Sequence, residues 1–302
     1  MSDFTSVPLA GQYAKIESPR WHDGRLWFVD VHRGQVVAAS EDGTAHTISD
    51  VPGRPSSFGW LPDGRIVVVD QDSARILRLE QQGFVVHADL SSDARGMLNE
   101  MWVDSSGRVY VGEMGFDPLP LLTDPDIVAS LTVERMDKAI EVPAAARLYI
   151  VEVDGTYRIG ANELIFPNGM TFDERTRKLF VAETFGVRLA VFDVGDDGSL
   201  TNRQQWPLGF APDGIGWDDE GGLWVSDPIH MAVRRVGPCG VELDRIDTDQ
   251  MCFACAVGGV EERTLFLCTS PTPDLESCVL EMTARIETIA LATRPASQPQ
   301  VF

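Results

Sequence analysis

Basic residues are scarce in this 302-residue chain. It contains 25 lysines and arginines against 46 aspartates and glutamates, which gives a formal net charge of −21. Such a surplus of negative charge repels phosphate backbones and anionic lipids, so it argues against binding to nucleic acid or to a membrane surface. Cations are the more favourable ligands for a chain of this charge.

Cysteines and long apolar runs are also few. The five cysteines are odd in number, and no stretch reaches the roughly 18 apolar residues of a membrane span. The first 30 residues lack a basic start followed by a long apolar run. We therefore expect no disulfide framework, no targeting segment and a cytoplasmic location.

The chain is rich in one repeated phrase. An apolar or aromatic residue precedes a short turn of Asp and Gly, and an apolar strand then ends in an acid or a small polar residue. Six copies occur, at 21–30, 60–70, 102–113, 172–183, 217–227 and 257–269. Their last residues are 40–44 positions apart, with one interval of 70, close to the period of about 40–50 residues of a propeller blade.

Each copy predicts a β-hairpin, and a second pair of strands is predicted after most copies. The second pairs lie at 36–48, 76–88, 189–202 and 278–290. Four strands make one blade, so we predict an all-β fold, a six-bladed β-propeller with four antiparallel strands per blade. A β-sandwich of irregular hairpins is the alternative, but it does not account for the period.

One domain is expected over residues 1–302. The interval of 70 residues indicates an insertion at about 116–146 in blade 3, after the second strand of that blade. Residues 126–140 within it fit a helix and a strand equally well. A segment of this length is typical of a lid or a binding segment.

The loop before each innermost strand should open on one face of a propeller. Counting back four residues from the equivalent apolar position of each copy gives one residue per blade: Glu17, Ser56, Asn99, Asn168, Asp213 and Phe253. Four of these six are carboxylates or carboxamides. Rotation about the axis would bring these four together at one end of the central channel.

Two carboxylates and two carboxamides suit a hard divalent cation. Calcium is the first expectation, because Ca²⁺ is held by carboxylate and amide oxygens, and Mn²⁺, Mg²⁺ or Zn²⁺ could occupy the same oxygens. Alternatively, Pro167-Asn168-Gly169 and Pro212-Asp213-Gly214 are plain turns. Their matching positions in two blades favour a metal site.

These motifs carry a family resemblance. Glu17-Ser18-Pro19, Leu98-Asn99-Glu100 and the two tripeptides above, each ahead of its strand, resemble the gluconolactonase/regucalcin (senescence marker protein) family of six-bladed propellers over residues 15–290. The resemblance implies a hydrolase of lactones or related esters. It also implies that Glu17, Asn168 and Asp213 are metal ligands, that Asn99 is a further ligand or a substrate contact, and that Asp213 is the candidate general base. Diisopropyl fluorophosphatase looks like a more distant relative.

One residue departs from the family pattern. Sugar-lactone members of the family tend to carry an arginine two residues before the blade-3 asparagine, and this chain has Met97 there, with Met101 on the other side. A thioether removes polar donors and adds adaptable apolar surface. Together with Phe253 in blade 6, this predicts a lactone or cyclic ester less polar than a sugar lactone.

The predicted reaction is metal-assisted hydrolysis, in which the cation polarises the carbonyl and orients water. Asp213 would hold the metal, accept the proton of the water, or attack the substrate directly.

Glu100 is a second acid that could reach the site. His230 follows the second strand of blade 5, where it could contact substrate or transfer a proton. The CxxC spacing of Cys252 and Cys255 lacks a second pair, so we interpret it as packing.

The leading hypothesis is therefore a calcium-dependent lactonase that acts on a small molecule, as a monomer or small homo-oligomer. A calcium-binding regulatory or scaffold propeller without turnover is the second hypothesis. A related propeller hydrolase that acts on phosphotriesters or similar bonds is the third.

Overall fold

Six four-stranded antiparallel sheets make up nearly all of the fold in the computed structural model, which describes residues 7–118, 145–218, 220–259 and 262–291. The number of sheets and of strands per sheet is the number predicted for a six-bladed β-propeller. Residues 119–144 of the predicted insertion, and with them the ambiguous segment 126–140, lie outside the described residues. Among the described residues, no helix has the length and apolar content needed to cross a membrane.

Each of the first five sheets uses four strands that are consecutive in the sequence. Blade 1 contains β2 (Ile16–His22), β3 (Arg25–Asp30), β4 (Gln35–Ala39) and β5 (Ala45–Asp50). Blade 2 contains β6 (Pro55–Trp60), β7 (Ile66–Asp70), β8 (Arg75–Glu80) and β9 (Gly83–Asp89). Blade 3 contains β10 (Leu98–Val103), β11 (Val109–Glu113), β12 (Ala146–Val151) and β13 (Tyr157–Leu164). Blade 4 contains β14 (Pro167–Asp173), β15 (Lys178–Glu183), β16 (Arg188–Val194) and β17 (Leu200–Pro207). Blade 5 contains β18 (Ile215–Trp217), β19 (Leu223–Asp227), β20 (Ala232–Val236) and β21 (Glu242–Asp247).

The sixth sheet combines both ends of the chain. It consists of β22 (Met251–Gly258), β23 (Thr264–Ser270), β24 (Ala284–Ala290) and, on its outer edge, β1 (Val7–Tyr13). The prediction of two strands over 278–290 is therefore wrong in part. A helix, α1 (Leu275–Glu281), occupies the first half because Asp274 caps its start by accepting the N–H of Ser277, and the N-terminal strand supplies the missing fourth position.

Chain contacts divide the protein into two compact units. The first contains Met1–Val51 and Asp213–Phe302, hence blades 1, 5 and 6, and the second contains Pro52–Pro212, hence blades 2, 3 and 4. A single domain over the whole chain stays a prediction.

Aromatic rings pack between blades within each unit. Trp21 stacks on Phe266 at 5.4 Å in the first unit, and Tyr110 stacks on Phe172 at 6.4 Å in the second.

A buried carboxylate ends the second strand of five blades, which explains the acid that closes most copies of the repeated phrase. These acids, Asp30, Asp70, Glu113, Glu183 and Asp227, are at most 7% exposed. In blades 1 to 4 the carboxylate accepts backbone N–H groups from the segment that enters the first strand of the same blade, at 2.7–3.3 Å. The carboxylate therefore fixes the point at which each first strand begins.

Removing one of these carboxylates should destabilise its blade strongly. Glu183 is fully buried and accepts the N–H of Ile165 at 2.7 Å as well as Arg188 at 2.6 Å and Arg203 at 3.0 Å. Glu183→Ala removes the carboxylate that two arginines and one amide share, so we expect a loss of about 3–5 kcal/mol in the free energy of unfolding, measured by urea denaturation.

Asp247→Ala is the matched control, because Asp247 is 76% exposed and pairs only with Arg245 among the described residues. This variant should stay within about 0.5 kcal/mol of the wild type. A Glu183→Ala protein as stable as the control would contradict the role assigned to the buried carboxylate.

Candidate functional site

The residues predicted to form the site lie where the first strand of each blade departs from regular pairing. The register shifts at or just after Glu17, Ser56, Asn99, Asn168 and Phe253. In blade 5, Asp213 lies just ahead of the first strand. A β-bulge frees side chains from the regular alternation of a strand and re-aims them. The sequence count therefore identified the same irregular position in five of the six blades.

The second unit brings Asn99 and Asn168 together. The side-chain amide of Asn99 donates to the backbone carbonyl of Pro167 at 3.1 Å, next to Asn168 in the chain. The amide of Asn168 donates to the Thr184 hydroxyl at 3.2 Å, which donates in turn to the carbonyl of Pro212 at 2.8 Å. Since both amide nitrogens are held by protein acceptors, the two carboxamide oxygens point the other way and can accept a ligand.

Glu100 and Met101 point into the blade interior of the second unit. The Glu100 carboxylate accepts the Ser57 hydroxyl and the Met101 N–H, the latter at 3.1 Å, and is 8% exposed. Met101 is completely buried. Both side chains help to hold the bulge beside Asn99, and their contact with a substrate stays a prediction.

Arg54 contacts Met97, and the sequence analysis did not predict this contact. A terminal guanidinium nitrogen of Arg54 contacts the Met97 sulfur at 3.0 Å and also donates to Asp72, while the buried Nε of Arg54 has no hydrogen-bond partner among the described residues. Arg54 stands two residues before Ser56, just as Met97 stands two residues before Asn99. That equivalence between blades was the available signal.

Three phenylalanines form an apolar cluster beside Asn168 in the same unit. Phe116, Phe166 and Phe185 lie with ring centroids 5.1–5.6 Å apart. Phe166 is two residues before Asn168, and Phe185 follows Thr184, which accepts the Asn168 amide. This cluster adds apolar surface next to a predicted metal ligand.

In the first unit, Glu17 pairs with a lysine. The Lys15 ammonium lies 3.3 Å from a Glu17 carboxylate oxygen and 2.8 Å from the centroid of the Phe253 ring. Burial raises the pKa of Glu17 above its ordinary value, and the charge of Lys15 opposes this rise. The Lys15 ammonium therefore stabilises the Glu17 carboxylate. The sequence analysis did not identify Lys15 as a residue of the site.

Asp213 is held by two strands of the first unit. Its N–H donates to the Ser226 carbonyl at 3.0 Å, and the N–H of Gly214 donates to the Phe253 carbonyl at 2.9 Å. Gly214 is required here because a Cβ would lie 2.6 Å from the Cα of Ala254. The tripeptide Pro212-Asp213-Gly214 is thus fixed by a close approach of β22, in addition to its character as a turn.

A group of buried thiols lies near both carboxylates of this unit. Burial raises the pKa of Cys252 and Cys268 well above the ordinary value, and the negative charges of Asp213 and Glu17 add to this at Cys252 and Cys268 respectively. Cys252 and Cys255 belong to a hydrophobic cluster, and all five cysteines are free thiols. The interpretation of the CxxC spacing as packing is confirmed.

His230 lies in the turn between β19 and β20 of the first unit. Its Nδ1 is 2.8 Å from both carboxylate oxygens of Asp227, and its side chain is 24% exposed. The predicted position after the second strand of blade 5 is therefore confirmed. Contact with a substrate stays a prediction.

The donors available for a metal are oxygens of mixed type. Among the described residues, no group of three or more His, Cys, Asp and Glu side chains is arranged to hold a metal ion. Of the predicted residues, Glu17 and Asp213 belong to the first unit, and Asn99 and Asn168 belong to the second. Carboxylate and carboxamide oxygens of this kind fit a hard cation such as Ca²⁺. Their binding of a single ion stays a prediction.

Known proteins share sequence with this chain. A sequence model of the SMP-30/gluconolactonase/LRE-like region matches residues 16–271. Pentonolactonase XacC of Haloferax volcanii is 24% identical over 270 residues, which cover 84% of this chain and 81% of the relative. L-arabinolactonase of Azospirillum brasilense is 24% identical over 247 residues, which cover 76% of this chain and 72% of the relative.

Solved structures share the fold. A gluconolactonase from Xanthomonas campestris superposes with a TM-score of 0.71 at 22% identity, covering 96% of this chain and 91% of its own. Regucalcin from Agrobacterium tumefaciens, a calcium-binding protein, gives a TM-score of 0.72 at 17% identity, covering 97% of both chains. The fold is a six-bladed β-propeller with four antiparallel strands per blade, as predicted. Because the family match spans most of the sequence, this chain belongs to the SMP-30/gluconolactonase/LRE-like family.

Proposed function

We propose that this protein is a divalent-metal-dependent hydrolase that opens a lactone or a related cyclic ester, with Ca²⁺ as the first choice of metal. One observation carries the proposal. Within a lactonase family, this chain presents Glu17, Asn99 and Asn168 at the irregular position of their first strands, and Asp213 just ahead of the first strand of blade 5. The names of the two curated relatives, pentonolactonase and L-arabinolactonase, support a lactone as the substrate class.

The chemistry of the donors supports a cation. The Asn99 and Asn168 amide nitrogens are engaged by protein acceptors, which directs their oxygens outward, and the Glu17 carboxylate already attracts an ammonium group. These residues and Asp213 would hold the metal. When bound, a divalent cation supplies a Lewis acid for the carbonyl of the substrate. The calcium-binding regucalcin neighbour is in keeping with Ca²⁺.

Asp213 is the residue proposed to accept the proton of the attacking water. It is a carboxylate, it is 8% exposed, and its backbone is fixed through both Asp213 and Gly214. A carboxylate held in this way serves as a general base without reorganising. The water oxygen then forms a bond to the carbonyl carbon, and the ring carbon–oxygen bond breaks.

The substrate is proposed to be less polar than a sugar lactone. Met97 beside Asn99, the phenylalanine cluster beside Asn168 and Phe253 against Lys15 all place apolar surface next to predicted ligands. Free thiols at all five cysteines suit the proposed cytoplasmic location.

Asp213→Asn should weaken both metal binding and catalysis. The substitution keeps the size of the side chain but removes a charge and the proton acceptor, so Ca²⁺ affinity should fall at least about tenfold and kcat/KM at least about 100-fold. Calorimetric titration with CaCl₂ and MnCl₂ measures the first effect, and turnover of lactones of graded polarity measures the second.

Asp249→Asn is the control, because Asp249 is an exposed carboxylate of the same unit. Calcium affinity unchanged in Asp213→Asn would remove Asp213 from the metal site. Tight calcium binding by a wild-type protein that turns over no ester would instead favour a regulatory or scaffold protein.

A lactone with an alkyl substituent should be hydrolysed with a higher kcat/KM than a polyhydroxylated lactone of the same ring size. The expected preference is about tenfold, because one unfulfilled hydrogen bond in the site costs roughly 1–1.5 kcal/mol. Steady-state kinetics on the purified protein with both lactones measures the preference.

The variant Arg54→Met tests whether Arg54 binds hydroxyl groups of the substrate. Arg54 lies against Met97 and could donate to substrate hydroxyls in place of the arginine that the family carries there. A wild-type preference for the hydroxylated lactone that disappears in Arg54→Met would contradict the prediction of a less polar substrate.

A further inference from the structure

The turn after β19 contains an imidazole held by a fully buried carboxylate. Asp227, the last residue of β19, accepts the backbone N–H of His230 at 3.3 Å, and both of its oxygens lie 2.8 Å from His230 Nδ1. Arg234 donates to the same carboxylate at 2.8 Å. With Nδ1 directed to Asp227, the other ring nitrogen, Nε2, is the one available to a bound molecule.

This arrangement differs from that of the other blades. In blades 1 to 4 the acid at the end of the second strand accepts backbone N–H groups of the segment entering the first strand. In blade 5 the described hydrogen-bond and ion-pair partners of Asp227 are His230 and Arg234, which belong to its own hairpin. The entering segment is held instead by the backbone of Ser226. The imidazole is therefore not needed to fix the start of the first strand.

A row of charged side chains lies beside the imidazole. Arg234 bridges two carboxylates, since it donates to Asp227 at 2.8 Å and to Glu242 at 2.6 Å. Glu242, Arg234 and Asp227 form a row of alternating charge that carries one net negative charge. His230 lies at the end of this row, with its Nδ1 against the Asp227 carboxylate.

His230 and Asp213 lie at the same end of blade 5. The Asp213 N–H donates to the carbonyl of Ser226, the residue directly before Asp227, and His230 follows three residues later in the turn. The proposed proton acceptor and the imidazole are thus carried by adjoining segments of one blade. Ester hydrolysis is assisted when one group accepts the proton of the attacking water and another protonates the leaving oxygen.

We propose that His230 protonates the leaving oxygen of the lactone, with Asp227 as its positioning residue; this inference rests on the proposed hydrolase function. Water adds to the carbonyl carbon and gives its proton to Asp213. The ring carbon–oxygen bond then breaks, its electron pair stays on the oxygen, and the Nε2 proton of His230 moves to that oxygen. The product is a hydroxy acid, and exchange with solvent restores both proton-transferring groups.

The test compares two leaving groups. An alkyl lactone expels an alkoxide that needs a proton, whereas a 4-nitrophenyl ester expels a stabilised phenolate that does not. His230→Gln should lower kcat/KM for the lactone by about 100-fold and for the nitrophenyl ester by less than about threefold. Calcium affinity measured by calorimetry should be unchanged, since His230 is not a predicted ligand.

His46→Gln is the matched control, because His46 is an exposed histidine of the same unit. Asp227→Asn should reproduce the pattern of His230→Gln if that variant folds. An equal loss on both substrates, or no loss on either, overturns the role of His230. A wild-type protein that binds calcium but hydrolyses neither substrate overturns the proposed function, and this inference with it.

Discussion

The hydrogen bond from a backbone amide to a buried carboxylate is the interaction on which the geometry of this protein depends. Ladder pairing holds the strands of a blade together, but it does not specify where the first strand starts. In blades 1 to 4 the acid at the end of the second strand does so by accepting backbone N–H groups of the entering segment. A shift in one of these contacts would move the residues after it, which in blades 1, 3 and 4 include Glu17, Asn99 and Asn168 of the proposed site.

The irregular pairing that follows each of these contacts converts a structural repeat into a set of different chemical groups. The same position holds Glu17 in blade 1, Ser56 in blade 2 and Phe253 in blade 6. Because a bulged residue does not have to fit the alternation of a strand, its side chain can be acidic, polar or aromatic at little cost to the sheet. The pairing of the strands thus stays the same from blade to blade, while the side chain at the irregular position can differ.

The repeat carried most of what could be predicted from the sequence. Its period and turns specify the sheets, and counting within it leads to the position of Asn168 and Asp213, because hairpins and bulges are local features. The N-terminal strand of blade 6 and the contact of Arg54 with Met97 join distant parts of the chain, so no local pattern reveals them. The hydrogen bond from the Ser57 hydroxyl to Glu100 likewise joins residues that lie 43 positions apart.

The composition of the sixth sheet has a consequence for how the protein is made. Its outer strand pairs Val7 with Thr288 and Tyr13 with Ala284, so β1 finds its neighbour only when β24, far away in the sequence, is present. Contacts this distant in sequence are slow to form, because closing the intervening loop costs entropy before any bond is gained. During synthesis, the edge of β1 therefore stays unpaired until β24 has been made, and in that interval it can pair with a wrong partner.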